Sequence, residues 1–226
     1  MRKNVVRGVV VMASLAAVAA CGGPKKDTAD PSPVVVTTST PSPPPLDATG
    51  AAAALATGGL GVRDMPGMQP LGAPITTLTS PTIAALCGTT AAGLTSEKLR
   101  MARRQLVWTA GPSEFVSEER IVYRQGGVQA AMKDLLTSST ICPDRIGVRP
   151  VPSSAKLPAG SMEVSSHGAG QGGDSYAVPV GNRLLVVLWS NWTGSSSEPT
   201  AIRTALAKAR TVVVQREQPT LQALAG

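Results

Sequence analysis

Ser175-Tyr176-Ala177-Val178-Pro179-Val180-Gly181-Asn182-Arg183-Leu184-Leu185-Val186-Val187-Leu188-Trp189-Ser190-Asn191-Trp192 decides the architecture. Gly181-Asn182 between two β-prone runs predicts a hairpin with a two-residue turn. Leu184 to Leu188 is an unbroken apolar run, so the second arm reads as a central strand covered on both faces. Trp189 and Trp192 lie an odd number of residues apart on that arm. Their side chains are therefore expected on opposite faces, with the more exposed one the better contact residue.

Working outward, further strands are expected at Gln105–Thr109, Phe115–Tyr123, Arg145–Val151 and Ser161–Ser166. Gly127–Ser139 carries Val128, Ala131, Met132, Leu135 and Leu136 at helical spacing, with Lys133 and Asp134 facing away. A second helix runs from Glu198 or Pro199 to Gln215, with Ile202, Ala205, Leu206, Ala209 and Val213 as its stripe and Ser197 available as a cap. A shorter helix is expected at Thr82–Leu86. Antiparallel strands with helices between their groups give an α+β fold, one sheet packed by two or three helices. The globular part is expected to span 68–218, followed by a flexible tail at 219–226.

The N-terminus supplies an address. Arg2, Lys3 and Arg7 precede an apolar run from Val9 to Ala20, too short to cross a bilayer but right for a secretory signal. The run ends in Val18-Ala19-Ala20-Cys21-Gly22, which resembles the lipobox of bacterial lipoproteins. That resemblance implies that residues 1–20 are a signal peptide and that Cys21 is the lipidated first residue of the mature chain. The protein would then be anchored to the outer face of the cell membrane, its membrane contact made through acyl chains. Gly22 to Gly67 is rich in Pro, Ser, Thr, Ala and Gly, including Pro41-Ser42-Pro43-Pro44-Pro45, and is expected to be a disordered tether of about 40 Å. Helix is conceivable at Ala51–Ala56, with Gly58, Gly59 and Gly61 ending it.

Outside the membrane thiols oxidise, and the two remaining cysteines, Cys87 and Cys142, read as one disulfide. Closing that loop is worth roughly 4 kcal/mol on the chain-entropy model. The formal charge falls from +7 to +4 once the three signal-peptide cations leave. The remaining cations are scattered, only Arg103-Arg104 being adjacent in the folded region, so no nucleic-acid partner is expected.

A second resemblance rests on Tyr123-Arg124-Gln125-Gly126-Gly127 before an amphipathic helix that ends at Cys142-Pro143, on the later Gly181-Asn182-Arg183 leading into an apolar strand and helix, and on Cys87 and Trp108 upstream. This order, over about residues 75–216, resembles the PknH-like extracellular domain. That domain is the external sensor module of a mycobacterial receptor kinase, and it also occurs alone in actinobacterial lipoproteins. The resemblance implies an antiparallel sheet with helices and a ligand cleft. Members often carry four cysteines; here two remain.

Signals of catalysis fail on context. Gly168-Ala169-Gly170-Gln171-Gly172-Gly173 satisfies G-x-G-x-x-G, but a strand rather than a helix is expected after it, so it reads as a mobile hairpin loop. Ser153-Ser154-Ala155-Lys156 satisfies S-x-x-K, but prolines surround it and no Lys-Thr-Gly follows. His167 is the one histidine, in a Gly-rich flank, so neither a triad nor a metal site is built around it. No enzyme activity, cofactor or metal is expected. With only six aromatics in the chain, Trp189, Trp192 and Tyr176 are the candidate ligand contacts. Two readings follow: a sensor-like module that captures a cell-wall component or small apolar ligand, or an envelope module that docks on another protein with no small ligand.

Overall fold

The computed structural model describes residues 45–78, 93–144, 146–152, 156–168, 171–194 and 197–225. Cys21, Cys87, the signal run and the expected helix at Thr82–Leu86 lie outside them. All the elements below belong to one unit, Pro43–Gly226.

The strands are β1 (Gln69–Pro70), β2 (Arg100–Gly111), β3 (Glu114–Tyr123), β4 (Ile146–Pro150), β5 (Met162–Gly168), β6 (Gln171–Val180) and β7 (Leu184–Thr193). They form one antiparallel sheet in the order β1-β2-β3-β7-β6-β5-β4. The helices are α1 (Ala48–Leu55), α2 (Gly127–Ile141), α3 (Thr200–Arg216) and α4 (Gln218–Ala225). The α+β class holds, with two helices beyond the two long amphipathic stretches.

β7 is central, and Leu184 to Leu188 are buried throughout. Its even-numbered residues, Leu184, Val186, Leu188 and Trp192, join the core that also holds α1 and α3, while Leu185 and Val187 join the core under α2. The α3 stripe is buried in full. The α2 stripe is buried at Val128, Ala131, Met132 and Leu135, but Leu136 is 44% exposed. Asp134 does not face away either: its Oδ2 accepts the Ser96 amide at 2.8 Å and the Ser96 hydroxyl at 2.7 Å, pinning α2 to a 3₁₀ turn at Ser96–Leu99.

Several boundaries move. β2 starts at Arg100 because Arg103 and Gln105, polar enough to look solvated, are buried; Arg103 pairs with Glu119 on β3, and its Nη2 donates to Gln105 at 2.5 Å. The β6–β7 turn has three residues, since Val180 pairs with Leu184; the Arg183 carbonyl is taken by the Tyr123 amide at 2.8 Å. Pro199, not Ser197, is the N-cap of α3.

The largest correction is at the expected tether. Residues 45–67 are part of the folded body. Asp47 caps α1, its Oδ1 accepting the Gly50 amide at 2.7 Å, and Ala51, Ala54, Leu55, Leu60, Met65 and Met68 are buried. Small residues let α1 lie close to the sheet, which is why the stretch resembles linker in composition. α1 stops at Leu55 with Ala56 as its C-cap, and Gly58 and Gly59 follow, both at positive φ. Gly58 is also needed for space, because a Cβ there would sit 2.5 Å from the Thr220 hydroxyl. The C-terminal residues 219–225 are not a free tail but continue α4, with Thr220 buried.

Candidate functional site

Two features of the fold can be weighed as a site: a buried ionic node and an open cleft. The node lies on β3, where Glu118 and Arg120 point into the core beneath α1 and the α3–α4 junction. The Arg120 guanidinium donates to the Leu55 carbonyl at 2.8 Å, the Thr57 carbonyl at 2.6 Å and the Glu217 carboxylate at 2.8 Å, and also to the Thr220 hydroxyl. The Glu118 carboxylate accepts the Leu60 amide at 3.1 Å on each oxygen. Burial, and then the nearby Glu217 charge, push the Glu118 carboxyl up to about 7. All three ionisable side chains are sealed from solvent. The node is a clasp for residues 55–60.

The cleft is built differently. α2 covers only part of its sheet face, and where it overhangs β5 and the β6–β7 turn a space of about 580 Å³ opens. Val128, Met132 and Leu136 succeed one another at i, i+4, i+8 and form its helical wall. Met162 on β5 and Pro179 on β6 form the sheet side. Gly160 and Gly181, both at positive φ, shape the turns at its edge without adding side chains. On the neighbouring ridge of α2, Gln129 and Lys133 stand at the rim, facing Asn182 from the turn. Lys133 is the sole charged residue among the lining residues, and it makes no ion pair among the described residues. The volume falls in the range of about 300–1,000 Å³ usual for small-molecule sites.

The sequence-chosen contacts lie elsewhere. Trp192 is buried against the α1/α3 side, its ring over Gly172, where a Cβ would come within 2.4 Å. Tyr176 lies on that same side beneath Arg210, whose guanidinium stacks 4.6 Å from the ring centre and donates to the phenol oxygen at 2.7 Å. Trp189, half-buried, faces the α2 side, opposite to Trp192 as their spacing requires. The three aromatics thus do not share a groove, and none lines the cleft.

Gly168 and Gln171–Gly173 lie in strands β5 and β6, not in a mobile loop. Gly172 and Gly173 are small because Trp192 and the Ser190 carbonyl crowd them. His167 lies in β5 opposite Gly172. Ser153–Ala155 of the S-x-x-K run fall outside the described residues. No group of three or more metal-ligating side chains occurs among the described residues. No described helix is long and apolar enough to cross a membrane.

The cleft residues were passed over in the sequence for a simple reason: four of the five apolar positions of α2 do pack, and nothing marks the fifth as free.

No family model matches the chain, and no curated protein matches it. Among solved structures it is similar to the extracellular domain of PknH from Mycobacterium tuberculosis, at 14% identity over 74% of this chain and 92% of that one, with a TM-score of 0.39. This is a weak, fold-level resemblance.

Proposed function

We propose that the chain is a membrane-anchored extracytoplasmic lipoprotein whose α+β body is a sensor-like module, capturing a small ligand or cell-wall component in the α2 cleft. The observation that carries this reading is the cleft itself: an apolar-walled space of about 580 Å³ at the edge of the core under α2, open to solvent and flanked by side chains with spare hydrogen-bonding capacity. The lipobox-like Val18-Ala19-Ala20-Cys21 supports the address, and the disulfide between Cys87 and Cys142 belongs to the same reading. The apolar walls and lone rim cation provide no acid/base pair or nucleophile, so the module binds rather than converts, without cofactor or metal. Its partners are the membrane, through the anchor, and an envelope component, not nucleic acid.

A second reading has its own observation. Leu71, Ile75 and Leu78 are exposed along the segment that borders β2, and such apolar residues suit docking on an envelope protein with no small ligand. The experiment that separates the two is native mass spectrometry of the protein released from its own membrane, run beside labelled-palmitate incorporation. A co-purifying small molecule lost on Leu136→Glu supports the first reading. Retention of an envelope protein that is lost on Leu71→Glu supports the second. Absence of palmitate from the intact chain, with Cys21→Ala no different, sinks the address.

A further inference from the structure

The cleft's chemistry goes further than its existence. We propose that its ligand is an anionic amphiphile, an apolar chain that ends in a carboxylate or phosphate, and that Lys133 receives the head; this rests on the reading of the cleft as a ligand site.

Two adjacent ridges of one helix carry the inference. Val128, Met132 and Leu136 make a continuous apolar ridge, and Leu136 remains 44% exposed at its end. Gln129 and Lys133 make the parallel ridge one residue on. A ligand lying in the cleft therefore meets hydrocarbon along its length and polar groups along one side only. Met132 and Met162 face the same space from opposite walls. Unbranched thioether side chains adapt to a flexible chain better than branched ones do. Val128 and Met132 are largely packed into the core, so the helical hydrocarbon left open to water is chiefly that of Leu136, and covering it with an acyl chain gains about 0.8 kcal/mol per buried methylene.

The head's sign follows from what lines the rim. Lys133 is cationic and carries no ion pair among the described residues, while Gln129 and Asn182 are neutral amides able to donate hydrogen bonds. No carboxylate lines the cleft. A cationic head would meet repulsion there, and a neutral head would leave the ammonium unmatched.

The test is calorimetric titration of the full chain, below each probe's micelle concentration, with dodecanoate, dodecyl phosphate, dodecanol and dodecyltrimethylammonium. Lys133→Met and Leu136→Glu are titrated alongside; both positions are exposed, so the fold is retained, and circular dichroism checks it. The expected result is binding of the two anions about fivefold tighter than dodecanol, as suits one partly exposed charge pair. Lys133→Met should erase that margin without weakening dodecanol, and Leu136→Glu should weaken dodecanol and both anions. Dodecanoate and dodecyl phosphate distinguish a fatty-acid head from a phospholipid-like one. If dodecanol binds as tightly as the anions and Lys133→Met changes nothing, the anionic class is overturned while the cleft reading stands. If no probe binds, or Leu136→Glu leaves binding intact, the cleft reading itself fails.

Discussion

The guanidinium of Arg120 and the carboxylate of Glu217 meet at 2.8 Å in the sealed core, although 97 positions separate them in the chain. Through that contact the α3–α4 junction, the interior strand β3 and the chain just after α1 are held at one point. Removing one partner of a buried pair leaves an uncompensated charge, which costs about 3–5 kcal/mol. Arg120→Met also strands the Leu55 and Thr57 carbonyls. Urea unfolding of Arg120→Met should show a loss at the upper part of that range, and Glu217→Gln a smaller one. Equal stability of Arg120→Met and the parent would show that the node holds nothing together.

Glu118 gives the node a pH dependence whose sign is fixed. Its carboxyl is raised from an ordinary 4.5 to about 7 by burial and by the Glu217 charge, against the pull of Arg120 and the Leu60 amide. Between those values the folded state holds a proton that the unfolded state has lost. Stability from this group is therefore fully present below about pH 4.5 and is lost as pH rises from there through about 7. Asp64 works the other way. Burial raises its carboxyl, but hydrogen bonds from Arg216, at 2.9 and 2.8 Å, and from the Gly61 amide lower it further. Its contribution is present above its ordinary value of 3.8 and is lost as pH falls through the depressed one. Thermal unfolding should thus be highest in mildly acidic buffer and decline toward pH 8. In Glu118→Gln the decline should shrink but not vanish, because burial also raises the Glu119 and Glu198 carboxyls, and an unchanged slope would assign all of it to those groups.

Gly127 is required by packing and Gly126 by conformation, and the two costs differ. A Cβ on Gly127 would lie 2.5 Å from the Tyr123 Cβ, an atom fixed to the strand. Gly126 has φ 82° with open space around it. Gly126→Ala should therefore cost about 1 kcal/mol. Gly127→Ala should cost at least as much again, because overpacking at rigid positions runs to about 1–3 kcal/mol. Denaturant midpoints of the two variants check the order.

The fold was legible where burial and polarity agree. Leu184–Leu188 and the α3 stripe announce themselves because every buried position is apolar. β3 is the counterexample. Glu118, Glu119 and Arg120 are consecutive, charged and all buried, because β2 and β7 flank the strand and both faces are covered. Their partners, Glu217 and Arg103, come from distant sequence, so no local pattern identifies them. The cleft was illegible for the opposite reason. Leu136 belongs to a regular apolar stripe, and only the position of Met162 and Pro179 across the gap shows that it is unmatched.

The disulfide between Cys87 and Cys142 is a proposal that chemistry can test directly. In the native protein neither cysteine should react with an alkylating agent until a reductant is added with denaturant. Reduction should lower stability by about 2–5 kcal/mol, as for native bridges in small secreted domains. Alkylation of Cys142 in the native, unreduced protein would remove the bridge from the account.

Where the folded body begins can be tested by truncation. A start at residue 68, the boundary that composition favours, would remove α1 together with Leu55, Leu60 and Met65, all at most 4% exposed. Each such side chain contributes about 1.5–3 kcal/mol when fully buried. Their loss is comparable with the ~5–15 kcal/mol that holds a domain of this kind together. The same cut would take away the Leu55 and Thr57 carbonyls and the Leu60 amide, leaving Arg120 and Glu118 without those partners. It would also break the ion pair of Asp64 with Arg216. A chain starting at Pro45 should give a cooperative unfolding transition close to that of the full chain, whereas one starting at Met68 should be insoluble or unfolded by circular dichroism. Cooperative folding of the shorter chain would mean that residues 45–67 only decorate the sheet, and that the Arg120 node is not what fastens them to it.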